Sequence, residues 1–548
     1  MKFDIRSLPI LILLFVLWIS PGLFGRDPWK ADEPYTFGLV NTMIQSGDWV
    51  IPRLTGEPFL EKPPIYFMTA AVFGSLFSPP LVPFEAARLA TVVFMFLALL
   101  FFGLAARELY GGEYAVLAAL LLVGCVHLQV TAHKLITDVA LFTGFSIGLY
   151  GYALILRRPF AGGFWLGTGT GLGFLSKGLL APGILGVAGL ALLLFPRWRR
   201  RDYFVALGTA VAAALPWLII WPAALYRRST DLFTLWFWRQ NFGRFLGFND
   251  GSVGFNAASL DSHSYYVLNL VWLAWPVILP ALWTLWHFRR SWRTHPVFQA
   301  PLVLFLVFLG VLSAASTNRT LYAVPMLLPI AMIAAAGSRE LPVRAKTIAN
   351  RISVLFFGFL AVVLWISWLA LMTGTPAGLA RKLQGFRPDY VPQVQAVLLI
   401  VAVLYTVAWL VVVWRFTRGP EHVVLNWTLG VILTWALIMT LWLPALNSGT
   451  SHRAAFLSLR KAVPEGYSCL ALRGVGESER GMLEYFTGLR ARRIEIADPD
   501  DCGLLLDERP GKAEPSGDMP GWSRIWEFRH PSIRPKDVFT LYRKNGKP

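Results

Sequence analysis

Cysteine is nearly missing from this chain. Cys125, Cys469 and Cys502 are the only three in 548 residues, and their spacing fits no metal-ligand pattern. Cysteine-built metal centres are thereby excluded. Cys125 falls in an apolar run. Cys469 and Cys502 share the tail, where they form a disulfide if that tail is extracytoplasmic, or stay as two free thiols. Internal repeats of solenoid length are absent, and so is a clear inverted repeat of the transporter kind. The first apolar run, 8–24, lacks a small-x-small cleavage site, which argues for a retained helix over a signal peptide. Acidic residues are scarce: 32 Asp and Glu stand against 50 Lys and Arg, a net charge of +18. That surplus invites a nucleic-acid reading. Its distribution excludes one, because the basic residues sit in short loops between apolar runs, where they orient helices and meet anionic headgroups.

What the chain does have is apolar surface. Hydrophobic residues make up 55% of it, with 23 Trp, and the mean hydropathy is +0.54. Runs of about 20 apolar residues, the length that crosses a bilayer, recur throughout. The composition predicts a polytopic α-helical membrane protein. Six basic clusters punctuate it: Arg107; Arg157 and Arg158; Arg197 to Arg201; Arg289, Arg290 and Arg293; Arg339 to Arg351; and Arg415 with Arg418. Basic loops stay cytoplasmic. Pinning all six inside predicts about 13 crossings: 8–24, 84–106, 114–132, 139–156, a hairpin over 164–195, 204–222, 265–287, 297–316, 321–336, 353–373, 394–414 and 424–446. The apolar segment 65–77 is half the spanning length. Counting it would invert every later loop, so it is expected to lie along the membrane as an external juxtamembrane helix.

This topology predicts a transmembrane domain over 1–446, with external loops at 25–83 and 223–262. The tail 447–548 is mixed, charged and turn-rich, with short alternating stretches at 468–472 and 538–542 and helical patterns at 453–462 and 479–487. It predicts a small external α/β domain. Asp32, Glu61, Lys62, Asp138, Lys177, His263 and Tyr322 then share one side of the membrane.

The first external loop carries an ordered series: Trp29-Lys-Ala-Asp-Glu-Pro-Tyr35, then Gly47-Asp-Trp-Val-Ile-Pro-Arg53, then Glu61-Lys-Pro-Pro-Ile-Tyr66. Shorter matches follow at Thr137-Asp138, Leu175-Ser-Lys-Gly178, Asp261-Ser-His-Ser-Tyr-Tyr266 and from Asn318 to Pro325. In this order they resemble the C-type membrane glycosyltransferases, in particular the lipid A aminoarabinose transferase family, along essentially the whole chain. The resemblance implies a bacterial inner-membrane enzyme whose site and tail face the periplasm. It would use a polyprenyl-phosphate-linked sugar as donor and a lipid or glycan as acceptor. It makes Asp32 and Asp138 the catalytic acids, and Lys62, Lys177 and Tyr322 the donor-phosphate contacts. Glu61 and His263 become the pair able to hold a divalent metal. One departure stands out: the family often has Asp-Glu-x-Arg where this chain reads Asp32-Glu33-Pro34-Tyr35, so a cationic phosphate contact is missing.

Physical chemistry points the same way. Cleaving a sugar–phosphate bond releases a phosphate, which needs charge stabilisation more than protonation. Lys62 and Lys177 can supply it, as can Arg244 or Arg319. A hydroxyl acceptor needs a base, for which Asp32 is the candidate. Plainer readings exist for each residue. Lys177 could snorkel, Asp138 could cap a helix, and Glu61 beside Lys62 could be a surface pair. His263 could simply hydrogen-bond, and Arg227, Arg228, Trp236 and Trp238 could anchor the interface. The rival functions are a protein O-glycosyltransferase of mannosyltransferase type and a transporter or flippase for a lipid-linked sugar.

Overall fold

A computed structural model describes residues 8–243, 264–315, 318–386, 390–495, 499–509, 520–529 and 538–545. Among these, eight helices are long and apolar enough to span a membrane: Pro83–Tyr110, Asp138–Ile155, Arg201–Arg228, Pro296–Ala314, Thr320–Ser338, Val343–Thr373, Ala396–Arg415 and Pro420–Leu441. Two bent pairs, Tyr114–Val123 with Val126–Ala132 and Tyr265–Leu273 with Ile278–His287, raise the total to ten. By length and composition alone, eight to ten of the described helices qualify as crossings, fewer than the expected 13. The other three expected crossings are also helices, but shorter or less apolar. They are α1 (Leu8–Ile19) and the two arms of the hairpin. The chain is a multi-pass membrane protein.

The segment expected as the first external loop is built largely of regular elements. It holds α2 (Asp32–Ser46), a two-stranded ribbon of β1 (Arg53–Leu54) and β2 (Glu57–Pro58), and α3 (Ile65–Phe77). At 13 residues α3 is about 20 Å long, short of a hydrocarbon core of roughly 30 Å. After α4 (Pro83–Tyr110) come α5 (Tyr114–Val123) and α6 (Val126–Ala132). Next are α7 (Asp138–Ile155), α8 (Pro159–Lys177), α9 (Leu180–Leu192) and α10 (Arg201–Arg228).

Glycine decides how α7, α8 and α10 pack. A Cβ on Gly144 would lie 2.8 Å from the Gly169 carbonyl oxygen, and one on Gly151 would lie 2.5 Å from the Leu166 nitrogen. On its other flank α8 turns Gly163 and Gly167 to α10, where a Cβ would meet the carbonyls of Ala206 and Ala210 at 2.3 and 2.2 Å. In a bilayer, helices associate by such close backbone approach, since lipid offers no hydrophobic drive. Because α7 and α8 are antiparallel and of nearly equal length, 18 and 19 residues, the start of one meets the end of the other. Asp138 opens α7 and Lys177 closes α8.

The tail carries a five-stranded sheet in the order β4-β3-β5-β7-β6. Its strands are β3 (Cys469–Arg473), β4 (Arg490–Arg493), β5 (Leu504–Arg509), β6 (Trp522–Arg529) and β7 (Val538–Lys544). β3 pairs parallel with β4 and β5; β7 pairs antiparallel with β5 and β6. The Glu477–Thr487 helix connects β3 to β4, the crossover that parallel strands require. One sheet face packs Leu472, Leu506 and Leu541 against Phe456 and Leu483. Cys469 and Cys502 form a disulfide.

Candidate functional site

Asp32 is the first residue of α2, where a carboxylate is favoured by the helix dipole. Its neighbour Glu33 takes a different part. Glu33 is fully buried and accepts two hydrogen bonds from Arg26, at 2.6 and 2.8 Å, while Arg88 stands 3.5 Å away. The Leu135 backbone N–H also donates to it at 2.8 Å. Burial alone would raise its pKa; the two guanidiniums outweigh this and hold the carboxyl below the usual range. Glu33 is therefore the keystone that ties the first loop to α4 and to the loop before α7. With it neutralised there, Asp32 is left at the surface of the cluster, only 14% exposed.

Tyr35 lies one turn along α2 and closes the gap that the sequence departure opened. Its hydroxyl donates to Asp32 Oδ1 at 3.1 Å and accepts from Lys62 Nζ at 2.6 Å. Burial pushes the phenol up, so it stays protonated and can do both. Lys62 is buried, not part of a surface pair. Burial opposes its charge, but Tyr35, Asp138, Asp32 and Glu61 together raise its pKa, so it stays cationic. Glu61 is part-exposed beside it.

Lys177 Nζ hydrogen-bonds to Asp138 Oδ1 and lies 4.1 Å from the centre of the Tyr322 ring. Gly178, at φ +64°, ends α8 directly after the lysine; a Cβ there would strike Asn241 Oδ1 at 2.1 Å. The capping explanation for Asp138 fails, because the N-cap is Thr137 and makes no side-chain cap bond. Asp138 Oδ2 is buried with no hydrogen-bond partner among the described residues. Arg319 Nη1 reaches Asp32 Oδ1 at 3.8 Å, and its side chain hydrogen-bonds Tyr322. The Tyr266 hydroxyl pins the Arg319 backbone, donating to its carbonyl at 3.1 Å and accepting from its N–H at 3.2 Å.

Six of the expected residues thus converge: Asp32, Lys62, Asp138, Lys177, Arg319 and Tyr322. Among these six, three cations face two carboxylates, which leaves one positive charge in excess and suits an anionic ligand. Arg244 and His263 lie outside the described residues. No group of three His, Cys, Asp or Glu side chains able to hold a metal occurs among the described residues, so Glu61 is the one proposed metal ligand described. Trp236 corrects an expectation. It is buried, packed at 4.8 Å on Trp221, and faces α8 and α10 instead of the headgroups; Trp238 is the exposed one. Tyr35, Arg26 and Arg88 were not legible as partners. Only the arginine-to-tyrosine departure hinted at the first.

Residues 61–223 match the family model described as dolichyl-phosphate-mannose-protein mannosyltransferase. The undecaprenyl phosphate-alpha-4-amino-4-deoxy-L-arabinose arabinosyl transferase of Pseudomonas aeruginosa is 31% identical over 343 residues, 59% of this chain and 58% of that one. The protein of the same name from Serratia proteamaculans is 26% identical, covering 67% of this chain and 65% of its own. The chain therefore spans less than two thirds of these relatives. The crystal structure of ArnT from Cupriavidus metallidurans bound to undecaprenyl phosphate superimposes with a TM-score of 0.68 at 16% identity, covering 98% of both chains. In sequence the chain thus resembles the aminoarabinose transferases, and its fold is that of the Cupriavidus metallidurans ArnT structure.

Proposed function

We propose that this chain is a glycosyltransferase that moves a sugar from a polyprenyl-phosphate carrier to an acceptor at the periplasmic face of a bacterial inner membrane. Lipid A, or another envelope glycan, is the acceptor class. The observation that carries this reading is the convergence of Lys62, Lys177 and Arg319 on Asp32 and Asp138, in one cluster, at the ends of elements far apart in sequence. A transporter would be expected to hold such groups near the midplane of symmetric halves.

The chemistry follows from charge. The acceptor oxygen attacks the anomeric carbon as the carbon–oxygen bond to phosphate breaks, and the carrier leaves as a phosphate anion. Lys62 and Lys177 receive the growing negative charge, with Arg319 beside them. For a hydroxyl acceptor, Asp32 takes the proton; for a phosphate acceptor, already ionised, it orients the nucleophile. Asp138 holds Lys177 and keeps Oδ2 for a donor group on the substrate. Direct displacement inverts the anomeric centre. No step is assigned to a metal. Phe174, one turn before Lys177, lines an apolar groove with Leu218, Ile219, Tyr226 and Phe233, which suits a prenyl tail. Basic clusters on the opposite side of the predicted topology, and the disulfide in the tail, support a periplasmic address.

Asp32→Asn in purified protein tests the reading. Sugar transfer should be lost while undecaprenyl phosphate still binds. Unchanged turnover would remove Asp32 from the mechanism. Mass spectrometry of envelope lipids and glycoproteins, with and without the chain, separates the acceptor classes. A sugar increment on protein would favour the mannosyltransferase-like alternative suggested by the family model's description.

A further inference from the structure

The tail does more than cover the membrane core. Its Glu477–Thr487 helix lies directly on α2, and the two backbones touch where both have glycine. A Cβ on Gly38 would sit 2.6 Å from Gly481 Cα; one on Gly481 would sit 2.4 Å from the Pro34 carbonyl oxygen and 2.5 Å from Tyr35 Cα. The contact thus falls on the first turn of α2, two and three residues after Asp32. Ion pairs bracket it. Before Asp32, Arg453 pairs with Asp27 at 2.5 Å and Lys30 with Glu479 at 2.7 Å. After it, Arg493 pairs with Glu57 at 2.6 Å. Glu479 also faces buried His452 at 3.4 Å.

Among the described residues the Asp32 side chain has few partners. Its carboxylate meets Tyr35 and, more distantly, Arg319. Its direction therefore depends on where the helix start is fixed. We propose that the C-terminal unit is a positioning element of the transfer site: by a glycine-on-glycine crossing flanked by ion pairs, it sets the first turn of α2 and so the aim of Asp32. This rests on the reading of Asp32 given above, and it makes Gly481 a positioning residue over four hundred positions from the group it serves.

The test is Gly481→Ala in the full chain, with Asp32→Asn in parallel. An added methyl needs roughly 1 Å more room to reach ordinary contact. Misplacement of that order costs about 10- to 100-fold in turnover. We expect kcat for transfer from undecaprenyl-phosphate aminoarabinose to lipid A to fall by that factor and the melting midpoint to drop modestly with the overpacking, while binding of undecaprenyl phosphate alone stays at its wild-type value. A purely structural glycine would instead lower carrier binding together with kcat and melting, and that result overturns the proposal. Full activity of Gly481→Ala with an inactive Asp32→Asn also overturns it and leaves the functional reading standing. Full activity of both removes the functional reading as well. If Gly481→Ala does not fold, charge reversal replaces it. Lys30→Glu and Glu479→Lys should each lower kcat, and the double exchange should restore it; no restoration refutes the clamp.

Discussion

Tyr35→Phe isolates the hydroxyl that joins Lys62 to Asp32. The ring stays, and so does its contact with Phe59, 5.6 Å between centroids, so the fold has no reason to change. What goes is the 2.6 Å acceptor for Lys62 Nζ and the 3.1 Å donor to Asp32. A hydrogen bond to a charged group is worth about 1.5–3 kcal/mol, and more is lost when a buried charge is left short of a partner. Lys62 is such a charge. If the ammonium must be held in place for the departing phosphate, kcat/KM should fall about 10- to 100-fold. The assay is steady-state transfer in detergent or nanodiscs, with donor concentration varied, alongside a melting curve. Loss of kcat in a variant that stays folded at the assay temperature, its melting midpoint lowered only modestly by the missing hydrogen bond, fits the assigned role. Activity unchanged by removal of the oxygen would refute it, for then neither Lys62 nor Asp32 depends on the bridge.

Other consequences are as direct. Glu33→Gln should destabilise the protein by about 3–5 kcal/mol, because two buried guanidiniums lose their counter-charge. Since the Glu33 carboxyl is held below its ordinary value of 4.5, its contribution is full above that pH and is lost as pH falls through the lowered value. The melting gap between wild type and variant should therefore stay constant from neutral pH to about 4.5 and close below it; a gap that closes near neutrality contradicts the assignment. Lys177→Met should weaken binding of undecaprenyl phosphate about tenfold or more and flatten its salt dependence. Equal affinity and equal salt slope would clear Lys177 of phosphate binding. In denatured, unreduced protein an alkylating reagent should label Cys125 alone, and all three cysteines after reduction; three labels without reductant would exclude the Cys469–Cys502 pair. A cysteine at position 49 should react with an impermeant reagent from the periplasm and one at position 344 should not, and the reverse would invert the topology.

The sequence by itself determined that this is a membrane protein, where most helices run, and that 65–77 is too short to cross. Those features follow from local quantities, apolar run length and basic loops, which need no partner to be read. It also named Asp32, Lys62, Asp138, Lys177, Arg319 and Tyr322, because motif order survives without coordinates. Only the tertiary structure decided their pairing. Glu33 and Asp32 are adjacent and look alike, yet one is sealed between Arg26 and Arg88 and the other stays partly exposed beside Tyr35 and Arg319. Tyr35 reads as the loss of an arginine until its oxygen is seen between Lys62 and Asp32. Glycines scattered along α7 and α8 look like helix weakeners until the two helices close on each other and bring Asp138 to Lys177. Burial, charge compensation and backbone approach are properties of residues distant in the chain, and they acquire values only once the chain has folded.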